Sequence, residues 1–448
     1  MFSEMLEPGI ELSDDIENAQ AIIPLEVGQY TLEQLGFLVW HLDFIPDGIE
    51  GGFLQGDLFF QHSTNSATFK RVSNTSWDLV IADEMFPNSA ATISLNLKQN
   101  FNTRIALFST TDFFNTHSTL KALARNPVIS PNYYLRHDRI SYDVRSFACR
   151  LVAFRDALIE QISIGLLGDR IIRRGARRIG LNNGFVELFS TASITFNDYF
   201  DKYRWPTTIS NTLVFTTTPC DVPQHLPASI EEFISDPRSH GTIYIAFGSI
   251  VDWTVAPSNV IESFTEALNS LHDYRIIWSI GAKVTQGLKT HIKTVAWAPQ
   301  SAILQDNRTK LFFTHGGLKS IKEAICAGVP MLTIPFIADQ MKNSLLAYQA
   351  GIAEIIHKRR ITSAILLKAM HKILQDNNYR QKIVSMRSIY NDRIMVPIQL
   401  ETFWVERILR SKRSEIAFRI RATQMSWISY SGLDIVLIPI CVVLLSTQ

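Results

Sequence analysis

The chain has 448 residues, 46% of them hydrophobic and 27 of them Phe, enough for two domains with separate cores. Lys and Arg number 43 against 42 Asp and Glu, a balance that argues against a nucleic-acid partner, which needs a basic face. Cys149, Cys220, Cys326 and Cys441 are scattered and form no C-x-x-C pair. That excludes a dense disulfide framework and gives no support to zinc or a redox motif, and the redox compartment stays open.

The first residues carry no basic segment followed by an apolar run, so no secretory signal peptide is read, and 11–17 is acidic and irregular. Trp77 to Ala82 reads as a strand, with Asp83 just past its carboxyl end. Asp83 either serves chemistry at that edge or caps the helix beginning near Pro87. Ile105 to Phe108 is the next strand, and His117 reads as a polar loop or helix residue. The basic run Arg173-Arg174-Gly175-Ala176-Arg177-Arg178 reads as a solvated helix face or turn. Ser190 to Tyr199 is a later strand. Thr217 to Pro227, with Pro219, Pro223 and Pro227 around Cys220, reads as a linker. Gly241 to Ile250 then opens a second domain with an apolar strand.

The densest information lies between Trp297 and Gly351. Lys310 to Thr314 is a short apolar strand. After Gly316 and Gly317, Ser320 opens a helix that runs to Ala327, where Gly328 ends it and Val329-Pro330 prevents its continuation. Met331 to Ile334 is a strand, Pro335 to Gln340 a loop, and Met341 to Ala350 a helix closed by Gly351. Alternating strands and helices imply a parallel sheet that binds ligands beyond the carboxyl ends of its strands. His315, Ser320, Asp339 and Gln340 all fall at that edge. The glycines allow close approach of backbone to a phosphate, and a helix N-terminus favours a diphosphate. Each residue also has a purely structural reading. Ser320-x-x-Glu323 is a capping box, Asp339 a helix cap, Trp297 a core residue and His315 a structural histidine. Their joint occurrence at one edge favours the ligand site.

Trp297-Ala298-Pro299-Gln300, Phe313-Thr314-His315-Gly316-Gly317, Ser320-x-x-Glu323-Ala324, Gly328-Val329-Pro330 and Asp339-Gln340 come in a fixed order. Together they resemble the nucleotide-sugar signature of the UDP-glycosyltransferases, the family that includes the UDP-glucuronosyltransferases. A weaker resemblance runs from about Trp77 to Leu437 and is most like nematode members. It implies an α/β fold of the glycosyltransferase B type, two Rossmann-like domains facing a cleft, with the N-terminal one incomplete. Residues 1–222 would form the acceptor-binding domain, 223–425 the UDP-sugar-binding domain and 426–448 the start of a C-terminal membrane anchor.

The resemblance further implies inverting transfer of glucuronic acid or glucose from a UDP-sugar to a small lipophilic hydroxyl acceptor. The UDP-sugar is a co-substrate, and no cofactor or metal is implied. Ser249, His315, Gly317 and Ser320 would hold the diphosphate, and Trp297 and Gln300 the uracil. Glu323 would hold the ribose, and Asp339 and Gln340 the sugar. Asp83 would hold and charge-stabilise a base histidine. Phe113, Phe114, Tyr133 and Tyr134 either line the acceptor pocket or pack in the core. Association with related transferases, as a homo- or hetero-oligomer, and a lumenal position on the endoplasmic reticulum membrane also follow from the resemblance. The sequons at Asn74 and Asn307 permit glycosylation there.

Three departures count against activity. Lys319 stands where the family often has Asn. No histidine occupies the glycine-rich turn that carries the family's base, and the first βαβ unit is not recognisable. The apolar run Ile435 to Leu445 has eleven residues, where a membrane-spanning helix needs about twenty. Both ends are therefore expected to be truncated and transfer to be poor. The alternative is an inactive UDP-binding homologue that modulates active relatives. A UDP-sugar epimerase on the same scaffold is disfavoured by Trp297 and Asp339-Gln340.

Overall fold

A computed structural model describes residues 39–41, most of 53–84, 88–130 except Ala124, 142–201, 209–220, 224–249, 251–280 and 287–410. The first unit holds α1 (Ala67–Asn74), β1 (Leu79–Asp83), α2 (Asn88–Phe101), β2 (Arg104–Ser109) and α3 (Asn115–Leu120). A long helix, α4, follows over 147–177. It is α-helical over Phe147–Glu160 and Asp169–Arg177 and π-helical over Gln161–Gly168. Then come α5 (Phe185–Thr191), β3 (Ile194–Asn197) and β4 (Leu213–Phe215). The four strands pair in parallel in the order β1-β2-β3-β4. The strand expected over Ser190 to Tyr199 is thus shorter, because its first residues end α5.

The second unit begins with α6 (Ala228–Ile234), β5 (Thr242–Ala246), α7 (Ser258–Asn269), β6 (Arg275–Ser279) and β7 (Ile292–Val295). It continues with α8 (Gln300–Gln305), β8 (Thr309–Thr314), α9 (Leu318–Ala327), β9 (Met331–Thr333), α10 (Gln340–Gln349) and β10 (Ala353–Ile355). Its six parallel strands run β10-β9-β8-β5-β6-β7. The chain moves one way from β5 through β6 to β7, then returns to the other side of β5 through β8. This is the order of a dinucleotide-binding Rossmann sheet, and its switch point lies between β5 and β8. The middles of the central strands are buried and apolar (Ile243, Ile245, Leu311, Phe313) because helices cover both faces.

Helix ends follow local chemistry. Gly328 and Gly351 take left-handed φ of 68° and 70° and stop α9 and α10. The Thr362 side chain accepts from Ile365 N at 3.3 Å and starts α11 (Ser363–Gln375), which is followed by α12 (Asn377–Asn391). The last described helix, α13 (Pro397–Arg410), is amphipathic. Leu400, Trp404, Val405 and Ile408 pack on Ala106, Ile194, Phe196 and Val214 of the first sheet. Fully burying a side chain such as Ile408 stabilises by about 1.5–3 kcal/mol, and the half-buried Leu400, Trp404 and Val405 add less each. The units therefore exchange segments. Residues 397–410 return to the first, while 39–41 dock on the second, where Trp40 Nε1 donates to Asp252 O at 2.8 Å.

Cys220 and Cys326 form a disulfide across a sequence separation of 106, tying the linker to α9. Spacing gave no hint of this, since the pairing depends on the linker folding back over the second sheet. Among the described residues no helix is long and apolar enough to cross a membrane, and the run 435–445 lies outside them.

Candidate functional site

The loops after β5 and β8 meet at the switch point of the second sheet. His315 is the first residue past β8, and its ring lies between two glycines. A Cβ on Gly248 would come within 3.1 Å of the ring, and one on Gly317 within 2.4 Å. Gly316 has φ of 80°, and a Cβ there would fall 2.2 Å from Ser344 Oγ. The glycines thus seat the imidazole and pack the loop on α10, besides leaving room for a phosphate. Burial pushes the His315 imidazole down to about 4, so it stands neutral at pH 7. Ser249 sits exposed on the turn beyond β5.

Gly317, rather than Ser320, is the N-cap residue of α9. Ser320 lies in the first turn and Glu323 one turn on, so the two do not form a capping box. Glu323 instead accepts from Gln300 Nε2, at the start of α8, and Ser320 Oγ lies 3.5 Å from the same nitrogen. The first turn of α9 is aimed at the switch point with no side-chain cap. Trp297 is 79% exposed at the same edge, so it is no core residue and presents a free face. Lys319 is exposed.

Asp339 and Gln340 are both buried. Gln340 Oε1 accepts from Phe336 N at 2.9 Å and Ile337 N at 3.1 Å, fixing the loop before it. Ala338 holds a left-handed φ of 55° in that loop, a local strain of about 1–3 kcal/mol. The Asp339 side chain makes no cap bond and accepts from Asn343 Nδ2 at 2.7 Å. Burial raises its carboxyl to about 6.

Across from this edge lie groups that sequence reasoning missed. Tyr199 OH donates to Asn343 Oδ1 at 2.9 Å. Lys342, three residues past Asp339, pairs with Asp112 beyond β2, and Arg125 Nη2 lies 2.8 Å from the same carboxylate oxygen. Burial alone would raise the Asp112 carboxyl, but the two cations outweigh it and hold it well below the usual carboxylate range. Burial, and then Arg125, lower the Lys342 ammonium to about 8. Lys322 of α9 bonds Asp198, just past β3, at 2.5 Å. No local run of sequence marks these pairs, since the partners lie 124 and 230 residues apart.

Asp83 is the last residue of β1 and is exposed. The helix after it begins at Asn88, five residues on. Glu84 is buried at the same edge, where it accepts from Ser109 Oγ at 2.6 Å and pairs with His117 Nδ1. His117 lies in α3, in keeping with the helix alternative, but it is fully buried against Phe114, Phe185 and Phe189 instead of facing solvent. Phe113 and Phe114 are core residues, while Tyr133 and Tyr134 lie outside the described residues.

A family model describing the UDP-glucoronosyl and UDP-glucosyl transferases matches residues 173–447. The chain belongs to this family. A UDP-glucuronosyltransferase of Pleuronectes platessa is 29% identical over 297 residues, 65% of this chain and 62% of that protein. UDP-glucuronosyltransferase 2A2 of Mus musculus is 30% identical over 218 residues, 48% of this chain and 40% of that one. The chain thus spans less than two thirds of these curated relatives. Among solved structures, a UDP-glucose:anthocyanidin 3-O-glucosyltransferase in complex with UDP has a TM-score of 0.55 at 17% identity, covering 88% of this chain and 85% of its own. The glycotransferase of kitacinnamycin gives 0.52 at 18%, covering 86% and 84%. Identity this low carries the fold alone, which is the glycosyltransferase B type.

Proposed function

We propose that this member of the family transfers a sugar from a UDP-sugar to a small lipophilic hydroxyl acceptor, with inversion at the anomeric carbon. Residues 223–425 supply the donor side and 1–222 the acceptor side. The observation that carries the reading is the gathering along one carboxyl edge, around the switch point, of an exposed Trp297, the Gln300–Glu323 pair, His315 at the uncapped start of α9, and Asp339 with Gln340. Trp297 stacks uracil, Glu323 takes ribose hydroxyls, and His315, Ser249, Ser320 and the Gly317 backbone take the diphosphate. Asp339 and Gln340 hold the sugar, glucose or glucuronate. Asp83 stabilises the base that deprotonates the acceptor.

We further place the chain on the endoplasmic reticulum membrane, anchored through 426–448, and two features support the lumenal side alone. Cys220–Cys326 requires an oxidising compartment, and the sequon residues Asn74 and Asn307 are exposed. UDP is expected to raise the thermal midpoint of the wild type and not of Glu323→Ala. An equal rise in both would sink the donor assignment. Competition by a panel of UDP-sugars then names the sugar.

A second reading is an inactive UDP-binding homologue that associates with active relatives. It draws on His117, which is buried and paired with Glu84 while Asp83 is exposed. Transfer to a phenolic acceptor separates the two. Turnover that falls about 10²–10⁴-fold in Asp83→Ala, with the UDP response intact, supports the transferase. UDP binding without turnover in the wild type supports the homologue.

A further inference from the structure

Helix α4 carries apolar side chains on its outward face as well as among its buried residues, such as Ala153, Ile164 and Ile172. Apart from Ala148, its exposed positions between 147 and 166 are Phe147, Leu151, Phe154, Leu158, Ile162 and Leu166, spaced at 4, 3, 4, 4 and 4 residues. Its buried side carries Asp156 and Glu160, the latter accepting from Thr116 N at 2.9 Å. A helix on a water-exposed surface shows the reverse pattern. Past Leu166 the outward face changes character. Arg170, Arg174, Arg177 and Arg178 are exposed or nearly so. With Arg173 they make five cations against Asp57, Asp169 and Glu187, which pair with Arg173, Arg174 and Arg178 and leave a net +2.

We propose that α4 lies along the surface of a phospholipid bilayer. The apolar stripe enters the boundary between headgroups and acyl chains, and Arg170 and Arg177 meet anionic headgroups. Interfacial helices combine Phe and Leu that enter the acyl boundary with Lys and Arg that meet anionic headgroups, and on α4 the two kinds of residue follow one another along the exposed face. Area argues against a second copy as the occupant. A stripe about 30 Å long on a helix about 10 Å wide offers about 300 Å², well short of the roughly 800 Å² per partner of a stable interface. A bilayer needs no complementary shape. The contact is independent of the donor chemistry and of the segment 426–448.

The test places an environment-sensitive nitrobenzoxadiazole label on the stripe of the full chain. Phe154→Cys is made with Cys149→Ser and Cys441→Ser, and Lys368→Cys, exposed on α11, serves as the reference site. Phosphatidylcholine vesicles are used with and without phosphatidylserine. The label at 154 is expected to shift to the blue and brighten on vesicles, while the label at 368 stays in water. Leu158→Glu with Ile162→Glu should weaken vesicle binding about tenfold or more, and Arg170→Glu with Arg177→Glu should do so on the anionic vesicles alone. A label at 154 that stays in water while the chain floats with vesicles overturns the proposal. So does burial of that label without vesicles, accompanied by a doubling of mass, which would mean that a second copy covers the stripe.

Discussion

The carboxyl edges of the two sheets are built by opposite means. On the second sheet the candidate site is local. His315, Gly316, Gly317, Ser320, Glu323, Asp339 and Gln340 all come from two consecutive strand–loop–helix units, Gln300 reaches Glu323 from the helix just before, and Gly248 and Ser249 come from farther off, after β5. On the first sheet the polar groups come from far apart. Glu84 follows β1, Ser109 ends β2, His117 lies in α3, and Glu160 reaches α3 from α4. A locally built site can be read from a run of sequence, whereas one assembled from distant residues cannot.

The two edges are joined by buried charge, which gives the sharpest way to break the comparison. Removing one partner of a buried ion pair costs about 3–5 kcal/mol. Lys322→Met is therefore expected to lower stability by about that much, read from chemical denaturation, by leaving Asp198 without its cation. Lys322→Met combined with Asp198→Leu should recover most of the loss. If the single variant denatures like the wild type, the two edges do not depend on each other as drawn here.

A subtler change keeps the edges joined and disturbs only the local site. A Cβ on Gly317 must displace the imidazole 2.4 Å away, and the ring can swing where backbone could not. Gly317→Ala should therefore fold but lose the stabilisation that UDP gives, about 2.7 kcal/mol at a hundredfold excess over Kd. An unchanged rise in thermal midpoint with UDP would show that His315 does not need its seat.

What could be read in advance follows the same division. The strands and helices from 309 to 351 match their expected bounds to within about two residues, because hydrophobic runs and terminal glycines set them locally. The apolar period of Pro397 to Arg410 is likewise local, and the segment is a helix. The capping-box reading of Ser320 and Glu323 fails because the helix starts earlier, at Leu318, with Gly317 free to take the cap position. The burial of His117, the Cys220–Cys326 bridge and the pairs at Lys322 and Lys342 depend on contacts between residues separated by 33 to 230 positions. No local period encodes such contacts. Trp297 was ambiguous between core and surface until its exposure was seen.

The smallest effect expected in the wild type is a cancellation within the donor edge. Burial raises Asp339 to about 6 and lowers His315 to about 4. Folded Asp339 keeps a proton that the unfolded chain has released above about 4, so its contribution to stability falls as pH rises from about 4 to 6. Folded His315 refuses a proton that the unfolded chain takes up below about 6.5, so its contribution rises as pH increases from about 4 to 6.5. Each slope amounts to about 3 kcal/mol over its window, and the two oppose. Asp339→Asn removes one of them. Relative to the wild type, that variant should lose about 3 kcal/mol on going from pH 6.5 to pH 4, seen as diverging denaturation midpoints. Curves that run parallel over the window would mean that Asp339 carries no proton there, and that its carboxylate is already satisfied by Asn343 in the absence of sugar.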